Sequence, residues 1–355
     1  MPGNNKLVLD TFCEVYDLLK SQATAEFWDF GNHSIVAGAT YVFGREQFKN
    51  HVGLIKQLAL GGTIRPILSN PAEGSETLAR HCALYGVEQL IKDKKILLVG
   101  GGAMDDSWPC LEFDSFLPKI LDYEENITEI QQYQEHNSSN RPYKFLFLNG
   151  RYRPHRKYLL QRLNPLLDDF IWTNLDSNAG PIKLLDNKYE HEMFANNKTN
   201  GYGFVKAQKF NNLWGEIYLK SQPYCDTYFS LVTETVFDYP YSFRTEKIWK
   251  PIAIGHPWIA VANAGYYQDL HNLGFQTFDP IIDESFDQIN DNQLRLERIA
   301  DLVEDLCRQD LASLSRQCYT VCKYNQQHLA EMKQQVRQKF PERFQQFIKK
   351  YHFDE

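Results

Sequence analysis

Nine residues, Asn149-Gly150-Arg151-Tyr152-Arg153-Pro154-His155-Arg156-Lys157, put four cations and a histidine into one turn. The chain as a whole is acidic, with a formal charge of −7, so this basic density needs a local reason. An arginine guanidinium can grip two phosphate oxygens at once. A helix opening at Pro154 would aim its first N–H groups at the same anion. The ordinary alternative is a solvated helix start, but cations at a helix N-terminus oppose its dipole. A nucleotide diphosphate fits Arg151, Arg153, His155 and Arg156 better.

Two further clusters follow downstream. Thr233-Glu234-Thr235 sets a carboxylate between hydroxyls, an arrangement suited to a ribose, though a helix cap or loop acid has the same composition. Phe243-Arg244-Thr245-Glu246-Lys247-Ile248-Trp249-Lys250-Pro251 reads as a helix start with Thr245 as N-cap. Glu246 suits the first turn. Lys247 suits it only if an anion lies there. Gly255-His256-Pro257 then ends that helix, and His256 in such a turn reads as structural.

If a diphosphate held there is a leaving group, the group that displaces it needs a base to take its proton. The candidates at expected strand ends are Glu73, Asp105 and Asp106, with Glu76 and Asp29 as further acids. Each has an ordinary reading as a cap, turn or surface acid. Gly100-Gly101-Gly102 follows an apolar strand and permits close backbone approach, but lacks the GxGxxG spacing of a dinucleotide site. No Asp-x-Asp triplet is present, so no metal and no other cofactor is expected.

These residues need elements to hold them. An opening helix is expected near Lys6–Leu19, a strand over Ser34–Phe43 and a helix over Glu46–Leu60. Then come a strand over Thr63–Leu68, a helix over Ser75–Ile91 and a strand over Lys95–Val99. Polar residues Glu124–Asn140 mark a domain boundary. The pattern restarts with a strand at Phe145–Leu148, a helix at Arg156–Leu167 and a strand at Asp169–Asn174. After the hard-to-read Asp176–Gln222, strands at Tyr228–Thr233 and Trp258–Val261 flank a helix from Thr245 to Ile254. The remainder is helical, with a break expected at Pro341. Alternation of strand and helix implies parallel βαβ units. The expected fold is therefore α/β, with two Rossmann-like domains over residues 1–140 and 141–330 and C-terminal helices over 331–355.

Phe243-Arg244-Thr245-Glu246-Lys247 followed by Gly255-His256-Pro257 resembles the donor-site segment of α-1,3-fucosyltransferase-like enzymes of the GT-B fold. Ser230-Leu231-Val232-Thr233-Glu234-Thr235 resembles the strand end that precedes it. Leu273-Gly274-Phe275-Gln276-Thr277-Phe278, and Asn149, Arg151, Arg153, His155 and Arg156, are similar to a broader group of bacterial and viral glycosyltransferase-like proteins. The likeness runs from Phe145 to Phe278 with a gap over Asp176–Gln222. Lys250-Pro251 departs from the fucosyltransferase pattern, so fucose is not fixed as the sugar. The resemblance implies that Glu246 binds the ribose, Lys247 the diphosphate, and Arg153 or Arg156 the diphosphate again, with Glu234 supporting the donor. It also favours GDP as the nucleotide.

Hydrophobic residues at 43% and aromatics at 14% supply ample core and argue against disorder. The negative charge gives no global attraction for nucleic acid. No run of about 18 apolar residues is present, so no transmembrane segment is expected. The start MPGNNKLVLDTF lacks signal-peptide order, and seven scattered cysteines without a CxxC pair read as reduced thiols, so a cytoplasmic protein is expected. Cys318 and Cys322, four apart on a helix, read as buried rather than metal-binding. The expected function is transfer of a sugar from a nucleotide-sugar donor to a glycan, protein or nucleic-acid acceptor. The alternatives are a non-catalytic nucleotide-sensing or protein-binding module, and another sugar-nucleotide enzyme such as an epimerase or phosphotransferase.

Overall fold

Short apolar runs, each leading into a polar turn, form two parallel sheets in the computed structural model. It describes residues 6–11, 13–21, 25–27, 37–102, 104, 107–135, 140–149, 153–174 and 219–351. Contacts divide the chain into two compact units, Met1–Ser115 with Gln334–Glu355, and Phe116–Lys333. Segment 124–140, expected at the boundary, is largely helix α7 (Glu124–Glu135) and belongs to the second unit. Its Ile130 and Tyr133 are buried in that unit's core.

The first unit carries strands β1 (Leu7–Leu9), β2 (Ala25–Phe27), β3 (Ala39–Gly44), β4 (Ile64–Asn70), β5 (Leu97–Gly100) and β6 (Cys110–Glu112), in the order β2-β1-β3-β4-β5-β6. The opening helix expected over Lys6–Leu19 is corrected here. Leu7-Val8-Leu9 is a strand paired on both sides, and only α1 (Tyr16–Leu19) is helical. A three-residue apolar run satisfies either period, so periodicity alone could not separate them.

Both faces of this sheet are covered, which is why its strands read as continuous apolar runs. Val8, Tyr41, Phe43, Leu68 and Leu98 face helices α2 (Arg45–Asn50), α3 (Val52–Gly61), α4 (Ser75–Leu84) and α5 (Glu88–Lys92). The alternate residues Leu7, Leu9, Val42, Ile67 and Val99 pack against Phe340, Phe344 and Phe347. Those aromatics lie on the last part of α13 (Leu311–Lys350), which runs through Pro341 without the expected break. Proline removes one helix donor, at about 3 kcal/mol. Burying Phe340 and Phe344 contributes roughly 1.5–3 kcal/mol each and offsets that cost. The helix expected over Ser75–Ile91 is split into α4 and α5 around Gly86, whose φ of 64° lies in the left-handed region.

The second unit is built on β7 (Tyr143–Asn149), β8 (Ile171–Asn174), β9 (Thr227–Thr233) and β10 (Trp258–Val261), all parallel, in the order β10-β9-β7-β8. Its helices are α6 (Phe116–Ile120), α7, α8 (Pro154–Arg162), α9 (Gln222–Cys225), α10 (Glu246–Ile254), α11 (Tyr266–Asn272), α12 (Asn292–Leu306) and the first part of α13. Phe145 stacks between Phe170 and Phe229 at centroid distances of 4.2 and 5.3 Å and anchors the core. Cys318 and Cys322 are buried there, and burial pushes the Cys318 thiol up to about 12. No helix among the described residues is long and apolar enough to cross a membrane.

Helix α10 ends at Gly255, with φ 79°. An added Cβ would lie 2.7 Å from the Gln326 amide carbon, and that amide donates to Ala253 O. Gly255→Ala is expected to lower stability by about 2 kcal/mol, from left-handed strain and displacement of Gln326. Urea unfolding of the two proteins measures this, and equal midpoints would show that the turn tolerates a side chain.

Candidate functional site

In an open parallel sheet, ligands bind beyond the carboxyl ends of the strands, where the chain reverses its direction of travel across the sheet. In the second unit that point lies between β7 and β9. The chain leaves β7 through α8 to β8 on one side, and leaves β9 through α10 to β10 on the other. Helix α8 packs with α12, whereas α10 packs with α6 and α7. The segments after β7 and β9 therefore diverge, and they carry the basic turn and the Thr-Glu-Lys segment.

The strand ends are tied first by side chains. Thr233 Oγ1 donates to Asn149 Oδ1 at 2.6 Å, joining β9 to β7. The buried Arg156 donates to the carbonyls of Thr233 and Glu234 at 3.0 and 3.3 Å. His155, also buried, uses Nε2 to donate to Glu234 O at 3.1 Å, and its ring stacks on Phe237 at 5.2 Å. Burial, then Arg156, lowers its pKa to about 3, with Arg153 and Lys247 adding to the effect; the ring is neutral. These two residues of the basic turn thus satisfy carbonyls at the end of β9.

Glu234 is fully buried. Its carboxylate accepts from Thr245 N at 3.0 Å, Thr245 Oγ1 at 2.6 Å and Tyr266 Oη at 2.9 Å. Burial pushes this carboxyl above the ordinary glutamate value, while Lys247 and Thr245 pull the other way. Glu234 so positions the start of α10, where Thr245 acts as N-cap and accepts from Lys247 N. The side chain is directed into the protein.

The cations nearer the surface converge on Thr235. Arg153 Nε donates to Thr235 O at 3.3 Å, and Lys247 Nζ to Thr235 Oγ1 at 3.3 Å. Lys247 Nζ also donates to Thr245 Oγ1 at 3.1 Å and to Glu246 Oε1 at 2.6 Å. The Lys247 side chain keeps 23% of its exposure, against 7% for Glu246. Burial raises the Glu246 carboxyl, but Lys247 and Lys250 outweigh it and hold it below the ordinary value, so Glu246 is ionised. Two positive groups therefore stand together at the switch point, beside the N-terminus of a nine-residue helix. That arrangement can hold an anion with several oxygens.

No protein-family model matches this chain, and no curated protein matches it. What the site can do is set by its own geometry.

Arg151, Asp105, Asp106 and Asp29 lie outside the described residues, as does the Glu76 side chain. Glu73 lies in the first unit, after β4, and its N–H donates to Asn70 O at 3.2 Å. Its carboxylate is 3.8 Å from the Arg45 guanidinium. Both act on His81, whose pKa is lowered by burial and then by Arg45, with Glu73 opposing. Arg45 Nε, Asn70 Nδ2 and His81 Nδ1 are buried without a partner among the described residues. Sequence reasoning missed Arg45, Asn70 and His81. Arg45 and Asn70 stand at the carboxyl ends of β3 and β4, so the strand-end rule applied to Asn149 could have found them. It also missed Tyr266. Gly101 N donates to Glu73 O at 3.1 Å, so the glycine run meets Glu73 as an ordinary tight loop. His256 is fully buried, bridging Ser230 Oγ at 2.9 Å and Thr227 O at 2.7 Å, and serves structure.

A histidine whose folded pKa is depressed adds stability above its unfolded pKa of about 6.5 and loses it as pH falls. His155 follows this sign, since the unfolded chain takes up the proton first. Between pH 7.5 and 5.0 the native protein is expected to lose about 2 kcal/mol more than His155→Gln. Urea unfolding at the two pH values checks this. Parallel losses would mean that His155 is protonated normally in the folded state.

Proposed function

We propose that this protein is a metal-independent glycosyltransferase with two Rossmann-like domains of the GT-B type. The second unit binds a nucleotide-sugar donor and the first takes the acceptor. The observation that carries this reading is the convergence of Arg153 and Lys247 on Thr235 at the switch point between β7 and β9. Cleaving a sugar–diphosphate bond leaves negative charge on the departing phosphate. Fixed cations stabilise that charge as it develops, and need no reorganisation to do so.

In this reading Arg153 and Lys247 bind the diphosphate, and Arg156, His155 and Glu234 position them. Glu246 receives the ribose. GDP is the favoured nucleotide through the fucosyltransferase resemblance. Glu73, set beside Arg45 and His81, is the base among the described candidates. Asp105 and Asp106 compete with it for that role.

A second reading, a nucleotide-sensing module without turnover, is favoured by one observation. The buried Glu234 carboxylate and the His155 ring at this edge are both engaged by the protein rather than presented as bases. Product analysis separates the two readings: transfer yields free nucleoside diphosphate and a glycosylated acceptor.

A ligand that binds only the native state raises the melting temperature. Among GDP, UDP, CDP and their sugars, one nucleotide family is expected to do so. Lys247→Ala is expected to weaken that ligand by about 10- to 100-fold, the scale of one charge-assisted hydrogen bond. Arg153→Ala should act in the same direction. Absence of any shift across the panel would sink the reading.

A further inference from the structure

At the amino-terminal edge of the second unit's sheet, the edge opposite the cation pair, a cavity of about 300 Å³ opens beside α13. Its walls come from residues just before β7 and β10, from the start of β9 and from one face of α13. That volume lies at the lower end of small-molecule pockets and holds one or two fused rings.

The cavity is lined by rings and cations. Arg141 is buried and donates to the carbonyls of Tyr224 and Thr227 and to Tyr133 Oη. Its guanidinium carbon sits 5.6 and 5.7 Å from the ring centres of Tyr133 and Tyr228, both on the cavity wall. At the mouth stand Arg316, which is exposed, and Tyr319, an aromatic ring left 53% exposed. Lys323 Nζ lies 5.9 Å from the Tyr319 ring centre. No aspartate or glutamate is among the described residues that line it. In a chain of net charge −7, this is a positive pocket with aromatic walls.

We propose that this cavity binds a planar aromatic oxyanion, a one- or two-ring molecule carrying a carboxylate, sulfonate or phosphate. The ring stacks within the wall of Tyr228 and Tyr319. The oxyanion meets Arg316 at the mouth, in the field of the buried Arg141. An aliphatic anion lacks the stacking surface, and a neutral aromatic lacks the charge. The site is independent of the sugar-donor reading, because it uses the opposite edge of the sheet and none of the same side chains.

The full chain is titrated with 2-naphthoate in ligand-observed saturation-transfer NMR, with 2-naphthalenemethanol and acetate as controls. Naphthoate is expected to saturate the protein, and the alcohol to bind at least fivefold more weakly. Acetate should give no signal. Arg316→Ala is expected to weaken naphthoate by about fivefold, the scale of one exposed charge pair, and to leave the alcohol unchanged. Ala312→Trp, which fills the cavity from the α13 side, is expected to abolish naphthoate binding. Lys247→Ala should leave it intact. Naphthoate binding that survives both Ala312→Trp and Arg316→Ala, equal affinity for the alcohol, or no binding at millimolar naphthoate overturns the proposal.

Discussion

A single buried residue, Glu234, joins three segments that are distant in sequence. Its backbone carbonyl accepts from His155 and Arg156, on the turn after β7. Its carboxylate accepts from Thr245 at the start of α10 and from Tyr266 at the start of α11. Sealing a carboxylate from water costs several kcal/mol unless hydrogen bonds replace the lost solvation. Here the replacements come from a backbone amide and two hydroxyls, all fixed by the helices they begin. The result is a corner at which β7, β9, α10 and α11 are joined through one residue.

That corner sorts the cations of the basic turn. Arg156 and His155 are drawn inward, because the carbonyls at the end of β9 need donors and no further strand supplies them. Arg153 and Lys247 stay nearer the surface, where they share Thr235. The connection between β9 and α10 is held from the far side as well. Arg295, fully buried on α12, donates to Phe237 O at 2.8 Å and lies 4.5 Å from the Phe237 ring centre. Phe237 in turn stacks on His155. A guanidinium on a distant helix thus fixes the ring that orients the imidazole, and among the described residues its charge is met by carbonyls rather than by a directly bonded acid.

Much of this was legible in the sequence, because parallel βαβ units write strong signals. β7, β9, α10 and β10 were readable from apolar runs and from the Thr245 cap, and their order placed Arg153 and Lys247 at strand ends. The use of each side chain was not legible. Arg156 and Arg153 are three residues apart and chemically identical, yet Arg156 is buried on the carbonyls of Thr233 and Glu234 while Arg153 stays partly exposed on that of Thr235. That difference depends on which helical face meets β9, and so on tertiary packing rather than spacing. At Pro341, burial of Phe340 and Phe344 against a sheet overrides a local signal. At Leu7–Leu9, pairing with β2 and β3 decides between two periods that the run satisfies equally. Arg45, Asn70 and His81 escaped because they are single residues brought together only by the pairing of β3 with β4 and the return of α4.

The resting state of Lys247 has a consequence for any anion that arrives there. Its ammonium has three protons and three partners, at 2.6, 3.1 and 3.3 Å. The two longer bonds go to neutral hydroxyls, and with an ionised donor each is worth roughly 1.5–3 kcal/mol. The shortest goes to Glu246, which its lysine neighbours keep ionised. A phosphate oxygen at about 4 Å from a cation near the protein surface gains up to about 4 kcal/mol before solvent screening. Exchange of the two threonine bonds for phosphate oxygens therefore comes out near balance once screening removes half of that. Exchange of the Glu246 bond is not favourable, since one charged partner would merely replace another. Glu246 then holds Lys247 in place while the threonines yield, and Arg153 and Lys250 supply the positive charge that the Lys247–Glu246 pair cancels within itself. The glutamate thus keeps Lys247 beside Thr235, where Arg153 also lies.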